Sequence, residues 1–223
     1  MLFFSILLLL SLLSLTMTVD TRPPLQSSDH VELTLVRHGE SAANADPHLR
    51  YHPDYSEDYV RLSPKGRDQA TALSKDFPQN GVQYWSSPML RALETTSLLM
   101  RNAKTHSFIV DKRLEELRWP LFKNENERQT HKAAMKNVGM LAYENPAVGY
   151  FESGQDVVDR LTDFLLEHRA ILRSQPNIII CHEIVMRAFN YLVSGDPTNF
   201  ETQKFDNCET LKWNGDLMDL IQK

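Results

Sequence analysis

Cysteine is scarce, with two residues among 223, Cys181 and Cys208. Two thiols can build neither a disulfide framework nor a four-ligand zinc site at short spacing, so both read as free. No glycine-rich loop of the kind that cradles nucleotide phosphates is present, and no His/Asp cluster falls at metal-ligand spacing. Basic charge is not in excess: 24 Lys and Arg stand against 29 Asp and Glu, a formal net charge of −5. A surplus able to neutralise a phosphate backbone is missing, which argues against a nucleic-acid partner. Beyond residue 30 there is also no Pro/Gly/Ser-rich linker, repeat or low-complexity tract. Residues 31–223 therefore read as one domain, with the 42% apolar content of an ordinary soluble core.

One long apolar run is present, Leu2 to Leu15, interrupted only by Ser5, Ser11 and Ser14. Its length falls between the core of a signal peptide and a spanning helix of roughly 20 residues. Residues 1–19 thus read as a signal peptide or membrane anchor, and residues 20–30 as a linker. No Lys or Arg precedes the run, and Met17 offers an alternative start. A chain begun there would be cytoplasmic; the full chain would enter the secretory pathway or associate with membranes.

Short runs rich in β-branched and aromatic residues, Val31–Val36, Val82–Trp85 and Asn177–Cys181, predict strands, with a weaker fourth at Ser107–Val110. Helix starts are signalled by Ser63 followed by Pro64 and by Ser87 followed by Pro88. Leu90, Leu93, Ser97 and Met100 predict the buried face of the second helix. A third is expected over Asp156–Arg173, on Val157, Leu161, Phe164, Leu165 and Ile171. A fourth follows Cys181, with Val185, Phe189 and Leu192 inside. Alternating strands and helices imply a mostly parallel sheet in a three-layer α/β/α sandwich.

In such sheets ligands bind beyond the carboxyl ends of the strands. Those ends deliver Arg37 and His38 after the first strand, Arg91 one turn beyond the second, and His182 after Cys181. Each residue alone has an ordinary structural explanation; their joint placement at successive strand ends does not. Two guanidinium groups converging on one pocket repel unless an anion lies between them, and their planar forks match phosphate oxygens. Two imidazoles add a nucleophile and a further donor, so phosphoryl transfer could proceed without a metal ion.

The stretch Leu35-Val36-Arg37-His38-Gly39-Glu40-Ser41, with Asn44 beyond it, resembles the histidine phosphatase superfamily, also called phosphoglycerate mutase-like. The resemblance continues through Leu62–Ala70, Ser86–Ala92, Arg113–Glu116 and Glu152–Val157 to His182, in family order. It implies His38 as the phosphoryl-accepting nucleophile, Arg37 and Arg91 as the phosphate clamp, and His182 as the second histidine. Glu116 matches the proton donor better than Glu115, Asn44 falls where relatives contact phosphate or substrate, and no cofactor or metal is implied. Three positions depart from the pattern: Glu183 and Phe151 replace glycines, and Trp119-Pro120 replaces Phe-Gly. Glu183 is thereby an alternative proton donor.

The likeness is nearest the small phosphatase-like branch, because Ala42 and Ala43 stand where mutases usually carry Trp. Hydrolysis of phosphomonoesters is expected, on a small metabolite or a phosphopeptide. Mutase-type transfer and a catalytically weak phospho-ligand-binding module are the alternatives. Residues 44–60 and 119–150 are expected to line the leaving-group side.

Overall fold

The computed structural model describes residues 29–103, 107–120, 122–143 and 152–221. The apolar run at 1–19, most of the expected linker and Phe151 lie outside the described residues. Among those described, no helix is long and apolar enough to cross a membrane.

The chain forms β1 (His30–Arg37), α1 (Ala42–Ala45), α2 (Pro64–Leu73), β2 (Gln83–Ser86), α3 (Leu90–Leu99), β3 (Ile109–Val110) and α4 (Glu125–Val138). Then follow α5 (Gly154–Glu167), α6 (Arg169–Leu172), β4 (Asn177–Cys181), α7 (Glu183–Ser194), α8 (Pro197–Thr202), β5 (Thr210–Asp216) and α9 (Leu217–Ile221). The sheet order is β3-β2-β4-β1-β5. All pairings are parallel except β5, which runs antiparallel along β1 from His30↔Asp216 to Val36↔Thr210.

Strands buried on both faces account for the layers. Val31, Leu33 and Leu35 of β1, Trp85 of β2 and Ile179 and Cys181 of β4 pack with α5, α7, α8 and α9. Their alternates Val36, Tyr84, Ile178 and Ile180 pack with Ala92 and Leu99 of α3 and Leu73 of α2. Successive side chains point to opposite faces, so a continuous apolar run is what a sheet covered by helices on both sides requires. The α/β/α expectation is met.

Several local expectations need correction. Ser87-Pro88 does not cap α3; the helix starts two residues later, at Leu90, behind an N-cap Met89 that makes no side-chain bond. Its inner face is Arg91, Ala92, Thr95, Thr96 and Leu99, whereas Ser97 is exposed. The predicted helix over 156–173 is two: α5 opens earlier on a Ser153–Asp156 capping box, and the chain breaks at His168. Leu172 takes the buried place of Ile171, which is 37% exposed. Of the fourth expected strand only Ile109–Val110 pairs, on Trp85 and Ser86. The Ser63 cap stands as expected, accepting from Gly66 N at 3.0 Å with Pro64 at the first helical position.

Candidate active site

The candidate site is assembled where β1, β2 and β4 end. The ladder overruns the strands by one residue: His38 N donates to Cys181 O (3.1 Å) and Ser87 N to Ile180 O (3.0 Å). These bonds fix the backbone from which His38 and His182 project. The two imidazole rings lie 5.0 Å apart, centroid to centroid.

His38 is buried, and its protonation is readable from its partners. Nδ1 lies 2.7 Å from Gly39 O, and a carbonyl can only accept, so Nδ1 carries the hydrogen. Nε2 is then a bare lone pair, which accepts from Arg91 Nε at 3.1 Å. Burial first, then the guanidinium groups of Arg91 and Arg37, hold its pKa well below the ordinary histidine value, against the Gly39 bond. Burial, Arg91 and His38 depress His182 likewise. Both rings are neutral near pH 7. His182 Nε2 lies 2.9 Å from Ser87 Oγ, while its Nδ1 is buried without a partner. Leaving such a group unsatisfied costs about 1–3 kcal/mol, a cost that a ligand oxygen accepting from it would remove.

The backbone around His38 depends on two glycines in contact. A Cβ on Gly39 would stand 2.5 Å from Gly66 O, and one on Gly66 2.0 Å from Glu40 O. Both obstacles are backbone and neither can swing aside. Gly66→Ala is expected to cost about 1–3 kcal/mol, as overpacking does, a fall in Tm of roughly 3–10 °C by thermal melt. An unshifted Tm would show that the loop after β1 yields freely. Gly39 N donates to Thr95 Oγ1 (3.1 Å), and Asn207 Nδ2 to His38 O (3.1 Å).

Arg91, from the first turn of α3, is buried. Besides His38 it holds Glu57: Nη1 donates to the Glu57 carbonyl (2.7 Å) and Nη2 to its Oε1 (2.8 Å). Arg37 donates to Phe205 O and lies 3.3 Å from Glu183 Oε2, its Nε buried without a partner. Both guanidiniums therefore already face a carboxylate of the protein itself.

Glu116 follows the 3-10 turn Lys112–Leu114. Its Oε1 accepts from Leu117 N (2.9 Å) and Ile184 N (3.3 Å), the latter in the first turn of α7. Burial raises its pKa and Glu183 adds to the rise, against the Leu117 bond, Arg91 and Arg37. The segment is braced from α5. Arg160 donates to the carbonyls of Arg113 and Glu115 and to Glu152, whose Oε2 accepts from Arg118 N at 3.0 Å. Glu183 has Arg187 on Oε1 and Arg37 near Oε2. Both of its oxygens thus face guanidinium groups.

Asn44 does double duty. Its Oδ1 accepts from Ser41 N (3.1 Å) and Ser41 Oγ (2.9 Å), closing the capping box of α1. Only its amide hydrogens remain to meet a ligand. Arg37, His38, Asn44, Arg91, Glu116 and Glu183 all line one cavity of about 950 Å³. The His182 ring packs against His38, which lines the cavity. The outer wall comes from within 44–60 and 119–150, as expected, but largely through α4, which the hydrophobic pattern did not reveal. Glu57, Glu152 and Arg160 were also missed as parts of the site, and Ser87, expected at the end of the second strand, was given no partner there. Only the Glu152-Ser153 family match pointed near one of them.

The profile of the histidine phosphatase superfamily (branch 1) matches residues 33–216. The chain belongs to that superfamily. It is 33% identical over 106 residues to a 2,3-bisphosphoglycerate-dependent phosphoglycerate mutase of Latilactobacillus sakei, a match covering 48% of this chain and 40% of the mutase. Among solved structures it resembles a mycobacterial glucosyl-3-phosphoglycerate phosphatase, with TM-score 0.64, 20% identity and coverage of 83% of this chain and 91% of that one. It also resembles an Entamoeba histolytica phosphoserine phosphatase variant in complex with phosphoserine, with TM-score 0.64, 17% identity and coverage of 81% and 89%. At such identities the structural likenesses speak for the fold.

Proposed function

We propose that the protein hydrolyses small phosphomonoesters through a phosphohistidine on His38. The observation that carries this reading is the tautomer of His38, whose Nδ1–H is committed to Gly39 O, which leaves Nε2 as the lone-pair nitrogen; it accepts from Arg91 Nε until a phosphoryl group takes that guanidinium over. Nε2 attacks phosphorus as the ester oxygen departs in line. The equatorial oxygens are held by Arg37 and Arg91 and accept from His182, work that needs positioned positive charge and donors rather than new covalent chemistry. Glu116 gives its proton to the leaving alkoxide. As a carboxylate it then takes a proton from the water that attacks the phosphohistidine, releasing inorganic phosphate and restoring both groups. Ala42 and Ala43, standing where mutases usually carry Trp, support transfer to water over return of the phosphoryl group to a sugar acid.

The experiment is hydrolysis of an aryl phosphate in the presence of a chelator; retained phosphate binding without turnover would replace the enzyme with a binding module. A finer test falls on the proton donor. General acid catalysis contributes about 10²- to 10⁴-fold, so Glu116→Gln should slow alkyl phosphates by that order and aryl phosphates, whose leaving groups need little protonation, far less. Since burial raises the Glu116 pKa, the acid form persists to higher pH. Wild-type kcat on alkyl phosphates should fall as pH rises through that pKa, and the fall should vanish in Glu116→Gln. The same leaving-group dependence in Glu183→Gln, and not in Glu116→Gln, would reverse the two roles.

A further inference from the structure

Nine of the chain's 24 lysines and arginines line the cavity, against five carboxylates, in a protein whose net charge is −5. Five of the nine, Arg37 and Arg91 among them, are paired with carboxylates. The other four, Arg50, Lys132, Lys136 and Lys204, have no hydrogen-bonded or ion-paired partner among the described residues. Lys132 and Lys136 stand four residues apart on α4, hence on one face and about 6 Å apart along the axis. Lys132 is half-buried, with burial, Arg128 and Arg50 lowering its pKa against Glu125 and Glu183. Glu183 in turn faces Arg37 at 3.3 Å. The unpaired cations thus belong to the wall of the same cavity as the phosphoryl clamp.

A phosphate monoester with a neutral tail would satisfy the clamp and leave that wall uncompensated, like charges gathered round a half-enclosed space. We propose that Arg50, Lys132, Lys136 and Lys204 form a subsite for a second anionic group on the leaving-group side, a carboxylate or a further phosphate. The substrate is then a small phosphorylated compound anionic at both ends. This deepens the phosphatase reading and rests on its assignment of Arg37, His38 and Arg91 to the scissile phosphate.

Non-hydrolysable ligands separate the two ideas. Calorimetry on the full chain would compare phenylphosphonate with 4-carboxyphenylphosphonate and 1,4-phenylenebisphosphonate at low salt. At least one doubly anionic ligand should bind about tenfold tighter or better, an advantage that shrinks as salt screens the wall. The tighter of the two identifies carboxylate or phosphate as the second group. In the Lys132→Met/Lys136→Met double variant, checked for folding by thermal melt, the affinity ratio should fall to within about twofold of unity. Lys204→Met, at an exposed position, should lower the ratio without risk to the fold. Equal affinities of wild type for all three ligands, or a ratio that survives in the double variant, would overturn the subsite. Failure to hydrolyse phenyl phosphate with the ratio intact would instead sink the phosphatase reading and leave the subsite standing.

Discussion

His38→Ala should reduce turnover to the background rate, because the lone-pair nitrogen Nε2 of His38 sits directly against the Arg91 clamp. The competing ring, His182, has its Nε2 engaged by Ser87 Oγ. Rapid acid and base quenching with labelled substrate should trap an acid-labile, base-stable phosphoryl adduct on the wild type and none on the variant. His38 is buried, so a thermal melt must show the variant folded. An adduct persisting in folded His38→Ala would remove His38 from the role of nucleophile.

Arg91→Ala should lower kcat/KM by about 10²-fold or more, the loss expected when one preorganised stabiliser of a transition state is taken away. Arg37→Ala should do the same. Both act on one charge distribution, so the double variant should fall well short of the product of the two effects. Arg91 also holds Glu57, with 4% of its side chain exposed, and truncation strands that carboxylate; Glu57→Gln is therefore the control. Undiminished turnover in Arg91→Ala would make Arg91 a structural partner of Glu57 and nothing more.

The residues at the strand ends were legible because the strands are short apolar runs, and a parallel sheet sends their carboxyl ends to one edge. Ser63 was legible because its cap is local in sequence. The failures have equally definite causes. β5 contains Asn214, Gly215 and Asp216, all poor strand formers, and is held in place by its pairing with β1. α4 buries only His131 and Met135, so a single large apolar side chain faces inward and leaves no stripe to detect. Ser87 looked like a helix cap because Ser-Pro often is one; its hydroxyl instead meets His182. Glu57 and Arg160 act through contacts with segments distant in the chain, which no local pattern announces.

The pairing of Arg91 with Glu57 and of Arg37 with Glu183 means that an incoming phosphate does not fill a bare positive hole. On the proposed reading it would enter by anion exchange, with a side-chain carboxylate turned out for each set of guanidinium bonds taken over. The free energy of capture is then a difference between two ion pairs rather than the whole of one, and added salt weakens both sides of that balance together. Inorganic phosphate formed by the proposed reaction would meet a rival already tethered beside it, since Glu57 belongs to the same chain and would return to Arg91 without diffusing. Tethering raises the rival's effective concentration. A clamp built this way favours letting go of its product over holding it.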